Sequence, residues 1–176
     1  LRRQSQLLNL RPDLKVTSIR GNVDTRIKKM LNKEVDALVL ASAGVFRLGF
    51  EKRPDLCISH LSERSFLPAV GQGSIAVQCR QNDQNLFKCL VDTSTEYRII
   101  AERELLRRLE GGCSLPLGVR SEYVGNEQVN LWARLLTIDG QMTVESSGRG
   151  HPIQAVEQLL SNMDQKKLSQ IRRTLI

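Results

Sequence analysis

Aromatic side chains are scarce in this sequence, at 4% of 176 residues. A core built from it must therefore be aliphatic, and few rings are available to stack on nucleic-acid bases. Histidine occurs only twice, and the four cysteines form no C-x-x-C pair, which argues against a zinc site and a disulfide framework. No apolar run approaches the ~18 residues of a membrane span, and no signal-peptide pattern opens the chain. We expect a protein of a reducing, cytoplasm-like compartment, without metal and without membrane contact.

Positive charge is the feature that needs an explanation. Lys and Arg number 26 against 19 Asp and Glu, so the formal net charge is +7, and hydrophobic residues make up 40% of the chain. That share suffices for the core of one or two ordinary domains. The charge predicts an anionic partner without saying which one. Nucleic acid is the less favoured partner, because no helix-turn-helix, zinc finger or aromatic RNA-binding signature is present.

Hydrophobic patterning predicts two differently built halves. In the first half helices alternate with short apolar strands, which favours an α/β layer architecture. The predicted helices there are 1–9, Val23–Asn32, Ser42–Leu48 and 84–91, and the predicted strands are Lys15–Ile19, Ala37–Ala41 and Ser74–Cys79.

From about Asp92 the pattern changes to that of a separate α+β domain. A capping box at Thr93–Glu96 opens a helix to about Leu109, which Gly111-Gly112 closes. Asp139-Gly140 is a strong hairpin signal between the last two of three predicted strands. These strands are Leu117–Tyr123, Val129–Ile138 and Met142–Ser147, and helices at about 153–162 and 165–174 follow them.

Several arginines stand at strand-to-helix turns. Arg20 precedes the turn Gly21-Asn22, Arg26 lies near the start of the next helix, and Arg47 follows the small residues 41–44. Such turns share the carboxyl edge of a parallel sheet, where helix N-termini and guanidinium groups bind carboxylate or phosphate. Arg2 and Arg3 could reach the same edge if a strand precedes them. The alternative is that these arginines are ordinary solvated surface residues.

Two glycine-containing loops are further candidates for a functional role. Cys113 follows Gly111-Gly112 in a loop after a helix, and a thiol in such a loop is positioned to react. Gly71-Gln72-Gly73 suits a hinge or the close approach of a ligand. Unreactive loop cysteines and loops without function are also common, so the pattern alone leaves both readings open.

These pieces, in this order, resemble the porphobilinogen deaminase family, also called hydroxymethylbilane synthase. The resemblance covers about residues 1–150 and is weak only in the last two helices. The matching motifs are Leu1-Arg2-Arg3-Gln4, Arg11-Pro12-Asp13-Leu14, Ile19-Arg20-Gly21-Asn22-Val23, Thr25-Arg26, Asp36-Ala37, Ala43-Gly44, Arg47-Leu48-Gly49, Leu67-Pro68-Ala69-Val70-Gly71-Gln72-Gly73, Cys79-Arg80, Ala101-Glu102-Arg103 and Leu109-Glu110-Gly111-Gly112-Cys113.

The resemblance implies a transferase of tetrapyrrole (haem and porphyrin) biosynthesis. Such an enzyme condenses four porphobilinogen molecules into hydroxymethylbilane and releases ammonia. It implies a dipyrromethane cofactor, held by a thioether to Cys113, whose thiolate is a good nucleophile. By the resemblance, the cofactor-binding residues are Cys113, Arg2, Arg3, Arg20, Gln72 and Gly73, and the substrate-binding residues are Arg26, Arg47 and Arg20.

The resemblance also implies a fold and a division of the chain. It predicts incomplete periplasmic-binding-protein-like α/β domains, followed by a small α+β domain with a three-stranded antiparallel sheet. Residues 1–65 would be the second α/β domain without its first strand. Residues 66–91 would return to an N-terminal domain that is mostly missing, and residues 92–176 would form the C-terminal domain with the cofactor-attachment loop.

The main departure from the family pattern is the catalytic aspartate. None of Asp13, Asp24 or Asp36 matches it, and the chain starts at Leu1 rather than at Met. We therefore expect a fragment that is inactive alone, and we name no catalytic residue in it.

The parent would be a monomer in the cytoplasm, or in a plastid if the source is a photosynthetic eukaryote. Its partners would be porphobilinogen and the growing polypyrrole chain, with no nucleic acid and no membrane. The alternative is a non-catalytic anion-binding module of the solute-binding-protein type.

Overall fold

The fold, seen in a computed structural model that describes residues 1–110 and 115–175, combines short helices with one antiparallel sheet. Within these ranges, no helix is both long enough and apolar enough to cross a membrane. The elements in chain order are α1 (Arg2–Leu10), α2 (Val23–Leu31), α3 (Ser42–Arg47), two 3-10 helices (Phe50–Lys52 and Gln81–Leu90), α4 (Thr93–Arg108), β1 (Leu117–Gly125), β2 (Gln128–Leu136), β3 (Thr143–Gly150), α5 (Pro152–Asn162) and α6 (Gln165–Arg173).

The second half is an α+β unit with the expected sheet. The strands lie in the order β1-β2-β3 and both pairs are antiparallel, which confirms the three-stranded antiparallel prediction. Alternate residues of β2, from Val129 to Leu135, are aliphatic and buried, and α4 and α5 pack against the sheet. The core of this unit is buried almost completely and includes Leu105, Val119, Leu131, Leu135, Val156, Leu159 and Ile171. Burial of each such side chain stabilises the fold by about 1.5–3 kcal/mol.

Contact between α5 and β3 depends on a glycine. A Cβ atom at Gly148 would lie 2.0 Å from the carbonyl oxygen of Ala155 and 2.7 Å from the backbone nitrogen of Leu159. Both are backbone atoms, so neither can turn aside as a flexible side chain could. The sequence must leave this position without a side chain for the helix to lie flat on the strand.

Gly148→Ala should therefore push α5 away from the sheet and lower the free energy of unfolding by roughly 2–3 kcal/mol. Urea denaturation measures this loss. Ser147→Ala is the matched control, because Ser147 is the exposed neighbour of Gly148 and its truncation should change stability by less than about 0.5 kcal/mol. Equal effects of the two substitutions would contradict the close-packing explanation.

Asp92, rather than a residue of the predicted capping box, starts α4. Its carboxylate accepts hydrogen bonds from the Thr95 backbone N–H at 2.7 Å and from the Ser94 hydroxyl at 2.7 Å. The capping-box assignment at Thr93–Glu96 is wrong, because an aspartate one residue earlier occupies the N-cap. These hydrogen bonds, that of Thr95 first, lower the pKa of Asp92 to about 2 from its ordinary 3.8.

This cap gives α4 a defined acid sensitivity. Because the folded-state pKa lies below the unfolded one, the contribution of the Asp92 charge is complete above about pH 3.8 and is lost as the pH falls through about 2. Asp92→Ala should lower the melting temperature at neutral pH. The difference in melting temperature between the variant and the wild type should then decrease as the pH falls from about 4 to about 2, because the Asp92 carboxylate becomes protonated in that range. A gap that stays constant on acidification would contradict the assignment.

The strands predicted in the first half are not formed. Residues 15–19, 37–41 and 74–79 form neither helix nor strand in the described residues. A strand needs a neighbour to satisfy its N–H and C=O groups, and these three segments do not pair with one another. As a result Ile75 is 85% exposed. The predicted helix 84–91 is part of the 3-10 helix Gln81–Leu90.

A small second core holds this half together. Ile27 of α2, Val45 of α3 and Phe50 are buried against one another, and Leu38 and Leu40 of the segment 37–41 pack on them. The chain as a whole has the mixed helix and strand content expected from the sequence, but the described part of its first half contains no sheet.

Polar contacts join α1 to the α+β unit. The buried Gln6 amide donates to the Leu67 carbonyl at 3.0 Å and accepts from the Leu67 N–H at 2.7 Å. Asn9 donates to the Gly140 carbonyl at 2.8 Å, and the Val119 N–H donates to the Pro68 carbonyl at 2.9 Å. The first turn of α1, which carries Arg2 and Arg3, is thereby held beside the segment 67–74.

Candidate functional site

A cavity of about 550 Å³ lies where α2 and α3 begin. The turn before α2 and the turn before α3 form two of its walls, and α1 supplies a third through Arg3. The turns before α2 and α3, which the sequence marked as candidate binding positions, therefore do meet at one place. The lining residues are Arg3, Gly21, Asn22, Val23, Asp24, Arg26, Leu40, Ala41, Gly44 and Leu48.

Backbone carbonyl groups orient the two arginines of this cavity. Arg26 Nε donates to the Gly21 carbonyl at 2.7 Å, and Arg3 NH1 donates to the Val39 carbonyl at 3.2 Å. Gly21 has φ +120°, a conformation that side-chain-bearing residues rarely adopt. Each guanidinium has five N–H donors, so both keep donors for a ligand.

Arg2 points to a different partner on the segment 67–74. Its NH1 donates to the Leu67 carbonyl at 2.5 Å, and its NH2 donates to Gln72 Oε1 at 3.1 Å. Gln72 Oε1 also accepts from the Ala69 N–H at 3.2 Å. The structure thus brings together two candidates, Arg2 and Gln72, that are separated by 70 positions in the sequence.

Arg2, Arg3 and Arg26 form a like-charged cluster, which we call the arginine cluster. Burial, and then the charge of Arg3, lower the pKa of Arg2 to about 10. Burial, and then the charge of Arg26, lower the pKa of Arg3 as well. Within residues 1–110 and 115–175 none of the three forms a salt bridge, although Asp24 lines the cavity. The cluster is therefore half-buried positive charge that an anion would neutralise.

The remaining candidates lie outside the cavity. Arg20 and Arg47 are exposed, and neither has a side-chain hydrogen bond or ion pair in the part of the chain that the structure describes. Each precedes a lining residue, Gly21 and Leu48 respectively, so both stand at the rim. Gly73 follows Gln72 with φ +95°. Cys113, together with Gly111 and Gly112, lies outside the described residues.

Sequence reasoning missed the residues that place these groups. Gln6 and the backbone of Leu67 were not expected to matter, and neither was the buried carboxylate of Glu102, which accepts from the Gly71 N–H at 2.7 Å. The available signal is a polar residue at a buried helix position, since Gln6 is 1% exposed and Glu102 is 5% exposed. Among residues 1–110 and 115–175, no three His, Cys, Asp or Glu side chains are grouped so that they could hold a metal ion.

Half-buried arginines beside a cavity, with no acidic partner in the described residues, are typical of an anion-binding site. Comparison with known families shows to which family the chain belongs. The family description "Porphobilinogen deaminase, dipyromethane cofactor binding domain" matches residues 1–88, and "Porphobilinogen deaminase, C-terminal domain" matches residues 96–165. The chain belongs to the porphobilinogen deaminase family, and the arginine cluster lies in the part that matches the cofactor-binding domain.

Individual relatives agree with this assignment. A porphobilinogen deaminase from Desulforamulus reducens is 43% identical over 160 residues, which cover 89% of this chain and 50% of the relative. Proteins of the same name from Bacillus cereus and Bacillus thuringiensis are 41% and 40% identical over 150 residues, or 84% of this chain and 48% of each relative. The chain spans about half the length of the curated relatives it matches.

The arginine cluster predicts that a polycarboxylate stabilises the protein. Citrate at constant ionic strength should raise the melting temperature, because it binds the folded state alone. Arg26→Gln removes a charged donor worth about 1.5–3 kcal/mol, so it should weaken citrate binding by about tenfold to a hundredfold. The concentration dependence of the melting temperature measures this change.

Arg53→Gln is the control for that experiment, because Arg53 is an arginine whose charge is already paired with Asp55 at 2.5 Å. It should leave the citrate dependence unchanged. Equal citrate binding by the wild type and Arg26→Gln would show that the cluster does not bind carboxylates.

Proposed function

We propose that the natural gene product containing this chain is a porphobilinogen deaminase (hydroxymethylbilane synthase). It would join four porphobilinogen molecules head to tail into hydroxymethylbilane and release ammonia, in tetrapyrrole biosynthesis. The observation that carries the proposal is the coincidence of two findings. The part that matches the dipyromethane cofactor binding domain is also the part that contains the unpaired arginine cluster.

The chemistry of the reactants supports this coincidence. Every pyrrole unit of porphobilinogen carries an acetate and a propionate, so a growing chain accumulates carboxylates. Guanidinium groups bind carboxylates with paired, charge-assisted hydrogen bonds. The half-buried arginines, whose charges have no acidic partner in the part of the chain that the structure describes, fit such a polycarboxylate better than they fit an uncharged ligand.

We take the role of each residue from its match to the motifs of the family. We assign Arg2, Arg3, Arg20, Gln72 and Gly73 to the dipyrromethane cofactor, and Arg26, Arg47 and Arg20 to the substrate. Arg3 and Arg26 line the cavity, and Arg20 and Arg47 adjoin its lining residues. Because the guanidinium groups stay charged at neutral pH, they would hold the carboxylates without taking part in proton transfer. We name no catalytic acid in this chain.

Cys113 is the residue proposed to hold the cofactor, through a thioether at its sulfur. When bound, dipyrromethane supplies the pyrrole end to which substrate units are joined.

For the fold of the first half we propose a periplasmic-binding-protein-like α/β arrangement. The division would be 1–65 for one α/β domain, 66–91 for a segment of another, and 92–176 for the C-terminal domain. The separate cores of the two halves and the exposed segment around Ile75 support this division. We further propose a monomer in the cytoplasm, in keeping with cysteines 57, 79 and 89, which form no disulfide.

Intact-protein mass spectrometry of the natural gene product tests the proposal. The wild type should carry the mass of two linked pyrrole units and should convert porphobilinogen, whereas Cys113→Ser should carry none and lose turnover. Cys57→Ser is the control, because Cys57 is an exposed cysteine of the first half; it should load and turn over normally. An active wild type without added mass would contradict the role of Cys113.

A further inference from the structure

One carboxylate is buried where α4 meets β1 and the segment 67–74. Glu102 Oε2 accepts a hydrogen bond from the Gly71 N–H at 2.7 Å, and its other oxygen accepts from the Ser121 hydroxyl. Arg98 Nε donates to the same Ser121 hydroxyl oxygen at 3.1 Å. The side chain is 5% exposed and therefore depends on these partners for its hydrogen bonds.

A carboxylate at this place does not serve packing. Burial raises the pKa of Glu102, while the hydrogen bonds of Ser121 and Gly71 and the charge of Arg98 oppose that rise. An apolar side chain of similar length would fill the same space without the cost of removing a charge from water. What the carboxylate provides instead is an acceptor for one particular backbone amide, that of Gly71.

That amide belongs to the loop that presents Gln72. Gly71 has φ +71°, the Gln72 N–H donates to the Ala69 carbonyl at 3.0 Å, and the Ser74 N–H donates to the Gly71 carbonyl at 3.2 Å. The Gln72 side chain then accepts from Arg2 at 3.1 Å. A continuous series of contacts thus runs from α4 to the arginine cluster, through Glu102, Gly71, Gln72 and Arg2.

We propose that Glu102 is a positioning residue: its carboxylate fixes the Gly71 amide and so holds the Gln72 side chain against Arg2. The identity of the group that Arg2 and Gln72 hold rests on the proposed function. The effect of Glu102 on the loop does not rest on the proposed function, because it concerns residues of this chain alone.

Amide hydrogen exchange on Glu102→Met measures the fixing directly. Methionine keeps the length of the side chain and its burial but removes the acceptor, so the loop 69–74 should exchange about tenfold faster. Exchange in β2, at Val129–Leu135, should change much less. An increase in the loop no larger than that in β2 would overturn the proposal, because it would reflect general destabilisation.

Two further variants separate positioning from a merely structural role. Glu102→Gln retains an amide oxygen that can accept from Gly71, so its loop exchange should stay within about threefold of the wild type. Glu96→Ala removes an exposed carboxylate from the same helix and should have no effect. Loop exchange in Glu102→Gln as fast as in Glu102→Met would overturn the proposal as well.

Citrate binding, followed by titration calorimetry, supplies a readout at the arginine cluster. Glu102→Met should bind citrate several-fold more weakly than the wild type, and Glu102→Gln should bind it about normally. Unchanged binding by Glu102→Met would show that the loop does not position Arg2, which overturns the proposal. If the natural gene product carries no pyrrole units while these differences hold, the proposed function fails and the positioning role stands.

Discussion

The arrangement of the site depends on the buried side-chain amide of Gln6. Gln6 satisfies both the N–H and the C=O of Leu67, and because it is buried, water cannot replace either hydrogen bond. Through it the first turn of α1 is fixed beside the segment 67–74, and Arg2 and Arg3 project from that turn. The buried amide of Gln6 is thus one reason that Arg2, at the start of the chain, meets Gln72, which lies 70 positions away in the sequence.

The arginines of the described residues fall into two groups, according to whether they pair with a carboxylate. Arg11, Arg53 and Arg134 each pair with a carboxylate within 2.7 Å, so their charges are locally compensated. The arginine cluster is not compensated in this way in the described residues, and burial lowers the pKa of two of its members, Arg2 and Arg3. The net charge of +7 therefore matters at one location more than over the surface as a whole.

What could be predicted from the sequence depends on where each segment finds its partner. The three strands of the α+β half were predicted to within a few residues, because each pairs with a neighbour in the sequence and Asp139-Gly140 marks a hairpin. The stretch Ala37–Ala41 has the pattern of a buried strand but no strand beside it. In the site, Arg26 was placed by its turn, whereas the contact between Arg2 and Gln72 depends on tertiary packing that no local spacing encodes.

The exposed segment Ser74–Cys79 has a consequence for handling the protein. Ser-Ile-Ala-Val-Gln-Cys is rich in residues that favour strands, carries no charge and contains no proline, and Ile75 and Val77 are 85% and 52% exposed. Exposed apolar side chains on backbone that pairs with no strand in the described residues are a template on which a second molecule can add a strand. We therefore expect residues 74–79 to promote aggregation of the chain in this form, and a charged residue placed at Val77 to act as a gatekeeper against it.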